Sequence, residues 1–238
     1  MTIGFGILFK DKALLCIDSC EYLSEEKQKF NLNAVKYYKL SDSLFYIQAG
    51  LTNASRYVVK KMIDLKIDSF NKLESILNQD VLSDVFGEFI RDYSKKHPHI
   101  LKSFEFNYYT LIFAGRKEEG NELFLVCMRF CITNNGKISY DYCLADKAPA
   151  MFTTLLSRDQ DIDGLYEELK CANNIKTLRK ACVAAVEKLS KKSPYISPWG
   201  VFIELDKHRI KTRPFNSLKR ICYLLKTGIK LQQLVFYI

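Results

Sequence analysis

Two short apolar runs open the chain, residues 3–9 and 13–17, separated by the polar triplet Lys10-Asp11-Lys12. Such short apolar runs predict two buried strands, and so short a break predicts an antiparallel hairpin. A second hairpin is predicted from 35–40 and 44–49 around Ser41-Asp42-Ser43. The period then lengthens: 53–65, 69–77 and 81–96 carry apolar positions at helical spacing, and His97-Pro98-His99 closes that block. Strands follow at 106–114, 122–130 and 137–144, divided by turns at 117–121 and Asn134-Asn135-Gly136. Residues 149–157 and 175–190 read as helices, and 200–205 with 208–212 as a closing hairpin. Strands, helices, strands, helices and strands, with no repeat or low-complexity linker, predict an α+β domain.

The two leading hairpins bear the chemistry. Removal of Met1 makes Thr2 an amino-terminal residue that carries both a hydroxyl nucleophile and a free amine. Such an amine titrates near pH ~8 and serves as the general base for its own side chain. A two- or three-residue loop at 10–12 brings Asp18 within about three residues of Thr2 across the ladder, which is side-chain range at ~3.3 Å per residue. The second hairpin carries Lys36 on its first strand, and Gly50 ends its second. A nucleophile, a carboxylate, an ammonium and a flexible backbone donor are thus expected in one place.

This arrangement resembles the proteasome β-subunit superfamily of amino-terminal-nucleophile (Ntn) hydrolases. The resemblance rests on Thr2 with Asp18, on Ile17-Asp18-Ser19, on the lysine-bearing stretch 33–40 and on the glycine turn at 49–54. It spans roughly residues 2–210 with its specificity in 2–54, and it looks nearest the bacterial heat-shock peptidase and ancestral β-subunit groups. It implies a four-layer αββα sandwich of two antiparallel sheets flanked by helices. It also implies Thr2 as nucleophile, Lys36 as the cation that depresses the amine pKa, Asp18 as its orienting carboxylate and Gly50 N–H as the oxyanion donor. Ser19 lies within the matched signature. The family's Ser in a Gly-Ser-Gly turn is missing from the corresponding stretch, 144–149, and a further supporting Asp/Ser pair is expected at Glu187 and Ser190. Gln48, beside Gly50, is expected to line a substrate pocket and to disfavour large hydrophobic substrates.

Composition changes the picture in two places. The chain has 238 residues, 48% hydrophobic and 26% charged, enough for one substantial core. Eight cysteines, mostly in apolar segments, fit a reducing cytosol and predict a cytoplasmic protein. No apolar run reaches the roughly 18 residues of a membrane span, and the opening reads as no signal peptide. Charge is uneven: residues 171–238 hold 14 Lys/Arg against 3 Asp/Glu, while 1–170 hold 22 against 24. The boundary is expected near 213, with 1–213 as the Ntn-like domain and 214–238 as a basic amphipathic extension that starts a helix at Ser217. That extension would pack on the domain or a neighbouring subunit, or meet an acidic partner; no nucleic-acid reader motif accompanies it.

The functional expectation is a threonine-type peptidase or amidase acting on peptide or unfolded-protein substrates. The resemblance adds a homo-oligomeric ring or helix and an ATP-dependent unfoldase partner. No cofactor or metal is called for: three histidines lack a His-Glu-x-x-His frame, no Cys-x-x-Cys occurs, and Gly4-Phe5-Gly6 lacks the rest of a dinucleotide loop. Two other classes share these residues, a catalytically silent scaffold subunit and an acyl-transfer ligase.

Overall fold

A computed structural model describes residues 2–24, 29–31, 34–50, 52–77, 81–96, 108–132, 138–154, 160–193, 196–219 and 222. They form an α+β arrangement around two five-stranded antiparallel sheets. The first sheet has the order β10-β1-β2-β11-β12, from β1 (Gly4–Phe9), β2 (Lys12–Asp18), β10 (Ala150–Thr153), β11 (Gly200–Asp206) and β12 (Ile210–Phe215). The second has the order β5-β6-β7-β8-β9, from β5 (Tyr37–Lys39), β6 (Leu44–Ala49), β7 (Tyr108–Arg116), β8 (Leu123–Ile132) and β9 (Ile138–Ala145). A small ribbon pairs β3 (Glu21–Ser24) with β4 (Lys29–Asn31). The helices are α1 (Thr52–Asp64), α2 (Phe70–Leu77), α3 (Val81–Lys96), α4 (Gln160–Cys171) and α5 (Ile175–Lys192).

Alternation along the strands builds three apolar interfaces. Leu8, Leu15 and Ile17 of the first sheet pack against Ile47, Ile112 and Leu125 of the second. On its other face the first sheet sends Ile3, Phe5 and Ile7 against Leu178, Cys182 and Val186 of α5. The second sheet sends Tyr46, Phe113 and Phe124 against Met62, Leu73 and Phe86 of α1–α3. β1 and β2 are therefore buried on both faces, which is why they read as unbroken apolar runs. Gly6 lets the sheets close: a Cβ there would lie 2.5 Å from Ile112 Cγ2.

Two expectations are overturned. Where a helix is read at 149–157, Ala150–Thr153 are instead β10, paired with β1 from Phe5↔Thr153 to Leu8↔Ala150, and 155–157 lie outside the described residues. The free edge of β1 supplies backbone partners, and this outweighs the modest helix preference of Ala and Met. The helix on this side starts later, at Gln160, in a stretch whose Gly164 weakens its helical signal. The β3–β4 ribbon has no counterpart in the sequence reading. His97-Pro98-His99, Phe106 and the 134–136 turn lie outside the described residues. At the other end β12 runs to Phe215 and Ser217–Lys219 turn helical; beyond that only Cys222 is described. Among the described residues no helix is long and apolar enough to cross a membrane.

Candidate functional site

The β1–β2 hairpin closes with a two-residue turn, Lys10-Asp11, with Lys10 at φ +52°. That sets the register Gly4↔Ile17, so the next backbone exchange joins Ile3 to Asp18. Asp18 N–H donates to Ile3 O at 3.1 Å, and Ile3 N–H donates to Asp18 Oδ1 at 3.0 Å. Thr2 is thereby held one residue beyond Asp18's partner. The Asp18 carboxylate is 0% exposed and its acceptor positions are filled. Oδ1 takes Ile3 N–H and Lys36 Nζ (3.1 Å), while Oδ2 takes Cys20 N–H (2.9 Å) and Ser197 N–H (3.2 Å). A carboxylate with this many donors is held fixed in place.

Lys36 precedes the short strand β5, and its carbonyl accepts from Gln48 N–H at 3.1 Å, which ties it to β6. Its side chain runs inward until the residue is only 7% exposed. There Nζ donates to Asp18 Oδ1 and, at 2.8 Å, to Thr2 Oγ1. Burying an ammonium is costly without a counterion, and Asp18 supplies one. Thr2 itself is half-buried, while Asp18 and Lys36 behind it are buried. The three side chains read from two separate hairpins thus meet within hydrogen-bond distance.

Two further residues complete the cluster, and the sequence reading missed both. Ser197, in the loop before β11, gives its N–H to Asp18, accepts Ser19 N–H at 3.0 Å on Oγ, and donates Oγ–H to Trp199 O at 2.7 Å. Thr154, just after β10, accepts Gly4 N–H at 2.8 Å and donates to Thr2 O at 3.1 Å, which fixes the backbone of Thr2. The stretch 144–149, where the resemblance would place a serine turn, is the end of β9 and the connection into β10; the hydroxyl beside Thr2 comes from Thr154. Only the signal of a β10 strand paired to β1 could have pointed to it.

The other expected residues stand as follows. Ser19 is buried and acts through its backbone, its carbonyl accepting from Ala34 N–H. Gln48 is buried with both ends of its amide engaged, Nε2 on Tyr38 Oη at 3.0 Å and Oε1 on Tyr109 Oη at 2.9 Å. Gly50 is exposed at the exit of β6 with φ +129°, a conformation open to glycine and strained for other residues. Glu187 and Ser190 lie on α5, where Glu187 binds Asn216 and Lys219 and Ser190 Oγ caps Glu187 O. The Lys219 ammonium holds the Glu187 carboxyl below the usual range. Behind the site, burial and the neighbouring Cys182 thiol push the Cys16 thiol well up, so it serves as packing rather than as a nucleophile.

The chain has the fold of Anbu from Hyphomicrobium sp. strain MC1, with a TM-score of 0.55 at 10% identity over 96% of this chain and 98% of that one. A Gly-1 mutant of the same protein gives 0.54 at 10% identity, covering 96% of each chain. No family model matches the chain, and no curated protein matches it. The sequence resemblance is corrected accordingly: membership of the proteasome β-subunit superfamily, or of its heat-shock peptidase and ancestral β-subunit groups, does not stand. What stands is the fold shared with Anbu.

Proposed function

We propose that this protein is a threonine-type amide hydrolase that uses Thr2, freed by removal of Met1, as its nucleophile. One observation carries the reading: Lys36 Nζ lies 2.8 Å from Thr2 Oγ1 and 3.1 Å from a fully buried Asp18 carboxylate. In this reaction the Thr2 amine takes the Oγ proton as Oγ bonds to the substrate carbonyl carbon. Lys36 disfavours protonation of that amine and stabilises charge on Oγ. Asp18 holds Lys36, Ser197 holds Asp18, and Thr154 holds the Thr2 backbone. Gly50 N–H is the donor to the oxyanion. The carbonyl–nitrogen bond then breaks, the proton passes from the Thr2 amine to the leaving nitrogen, and an ester to Thr2 remains. Water adds to that ester with the same amine as base, and the acid product leaves.

The reading includes a helix–sheet–sheet–helix order for the three apolar interfaces, and a homo-oligomer whose sites face peptide or unfolded-protein substrates. The test is the intact mass of the protein from its native source, before and after a peptide epoxyketone, a reagent that closes a stable ring only on a free terminal amine and its own hydroxyl. The expected result is loss of Met1 and a single adduct that is absent from Thr2→Ala. Retained Met1 would overturn the reading and leave a scaffold. Product analysis with an added amine acceptor separates hydrolysis from acyl transfer.

A further inference from the structure

On the helix side of the first sheet, α5 and the edge strand β12 leave between them a groove of about 520 Å³. Its helix wall presents Lys176, Arg179 and Lys180, then Val183 and Ala184 one turn on. These positions recur at spacings of three and four and so share one helix face. The strand wall presents Arg213 and Pro214. Arg213 stands directly opposite Phe202 in the β11–β12 register, so both project to the α5 side. Four cations therefore surround an apolar floor.

Little in the fold answers that charge. Glu187, at one end of the groove, is already taken by Lys219 Nζ at 2.6 Å and Asn216 Nδ2 at 2.8 Å. Arg179 reaches Glu204 at 3.7 Å, but Glu204 is also shared with Lys12 at 3.0 Å. Among the described residues, Lys176, Lys180 and Arg213 form no ion pair. Lys176 and Lys180, four apart on one helix, repel each other. An anionic occupant relieves that repulsion and covers the floor.

We infer that this groove docks an acidic segment of a partner protein, with carboxylates on Lys176, Lys180 and Arg213 and an apolar side chain against Val183, Ala184 and Pro214. A nucleic-acid strand fits less well, because it wants exposed aromatic faces for stacking and Phe202 is only 5% exposed. A bilayer fits less well, because the surface is concave. The groove contains none of Thr2, Asp18 or Lys36, so the inference is independent of the proposed reaction.

The test is fluorescence anisotropy of a short labelled peptide alternating leucine and glutamate, titrated with the full chain. Saturable binding that weakens with added salt is expected, and the same peptide with lysine for glutamate should not bind. Lys180→Glu with Arg213→Glu should weaken binding at least about tenfold, whereas Lys60→Glu, on the exposed side of α1, should leave it unchanged. Both altered side chains are exposed, and circular dichroism checks that the fold is kept. The neutralising pair Lys176→Gln and Lys180→Gln gives a second measure with a smaller loss in the same direction. Unchanged affinity in both double variants overturns the inference. So does tighter binding of a labelled single-stranded oligonucleotide that the same variants abolish. Self-association lost in the variants, with no peptide binding by the parent, would overturn it in favour of a second copy of the chain.

Discussion

Replacing Asp18 by Asn keeps the shape of the side chain and removes what the site needs from it. The carboxylate receives Ile3 N–H and Lys36 on one oxygen, and Cys20 N–H and Ser197 N–H on the other. An amide has only one acceptor oxygen, so its NH2 must face either the first pair of donors or the second. Each backbone N–H left unpaired in a buried place costs about 1–3 kcal/mol. The substitution also strands the Lys36 ammonium, and removing one partner of a buried ion pair costs about 3–5 kcal/mol. These costs overlap, so about 4 kcal/mol is expected for Asp18→Asn. Lys36→Met should cost less, about 2 kcal/mol, because the carboxylate keeps three backbone donors. The double variant should be less destabilised than the sum of the two by at least about 1 kcal/mol. Urea unfolding followed by far-ultraviolet circular dichroism measures all three, at one fixed protein concentration so that any assembly contributes equally. An Asp18→Asn loss below about 1 kcal/mol, or additive single substitutions, would refute the reasoning whatever the protein catalyses.

Three further outcomes are expected. Gly200 sits opposite Asp18 in the β2–β11 ladder, and a Cβ there would collide with Ile17 O and lie 2.8 Å from the Phe215 ring; Gly200→Ala should cost about 3 kcal/mol in the same unfolding assay. The Tyr46 hydroxyl is buried in the second sheet without a hydrogen-bond partner among the described residues, and burial raises its pKa, so Tyr46→Phe should stabilise the protein by about 1 kcal/mol and raise its melting temperature. In the β11–β12 turn, the backbone N–H of His208, with the side chain and N–H of Arg209, holds the Asp206 carboxyl down at about 2. Its folded pKa lies below its unfolded value of 3.8, so this contribution is present above about pH 4 and lost as the pH falls through about 2. Discounted for solvent screening, it amounts to about 1 kcal/mol, which Asp206→Asn should remove near neutral pH while flattening the acid limb of a stability–pH curve.

Much of this protein is carried by local pattern. Runs of apolar residues at 3–9 and 13–17 determine two buried strands, because such a sequence has no polar face to give to water, and the Lys10-Asp11 turn fixes which residues oppose each other. That alone brings Thr2 beside Asp18, since both lie at the open end of one hairpin. The helical period of α1–α3 and α5 is equally local, an i, i+3, i+4 stripe that any core can accept. Other features depend on partners distant in the chain. Ala150–Thr153 is a strand because β1 offers a free edge, not because of its own residues, and the helix read there fails for that reason. Thr154 and Ser197 reach the site across 150 and 179 positions of chain from the groups they bind, and no spacing rule links them. Lys36 can be picked out as a lysine on an early strand, but its burial against Asp18 and Thr2 is decided by how the two sheets face each other. The basic groove is the same kind of feature: the charge excess of residues 171–238 is plain in the sequence, while its focus on an apolar floor exists only because α5 leaves the face of β12 uncovered.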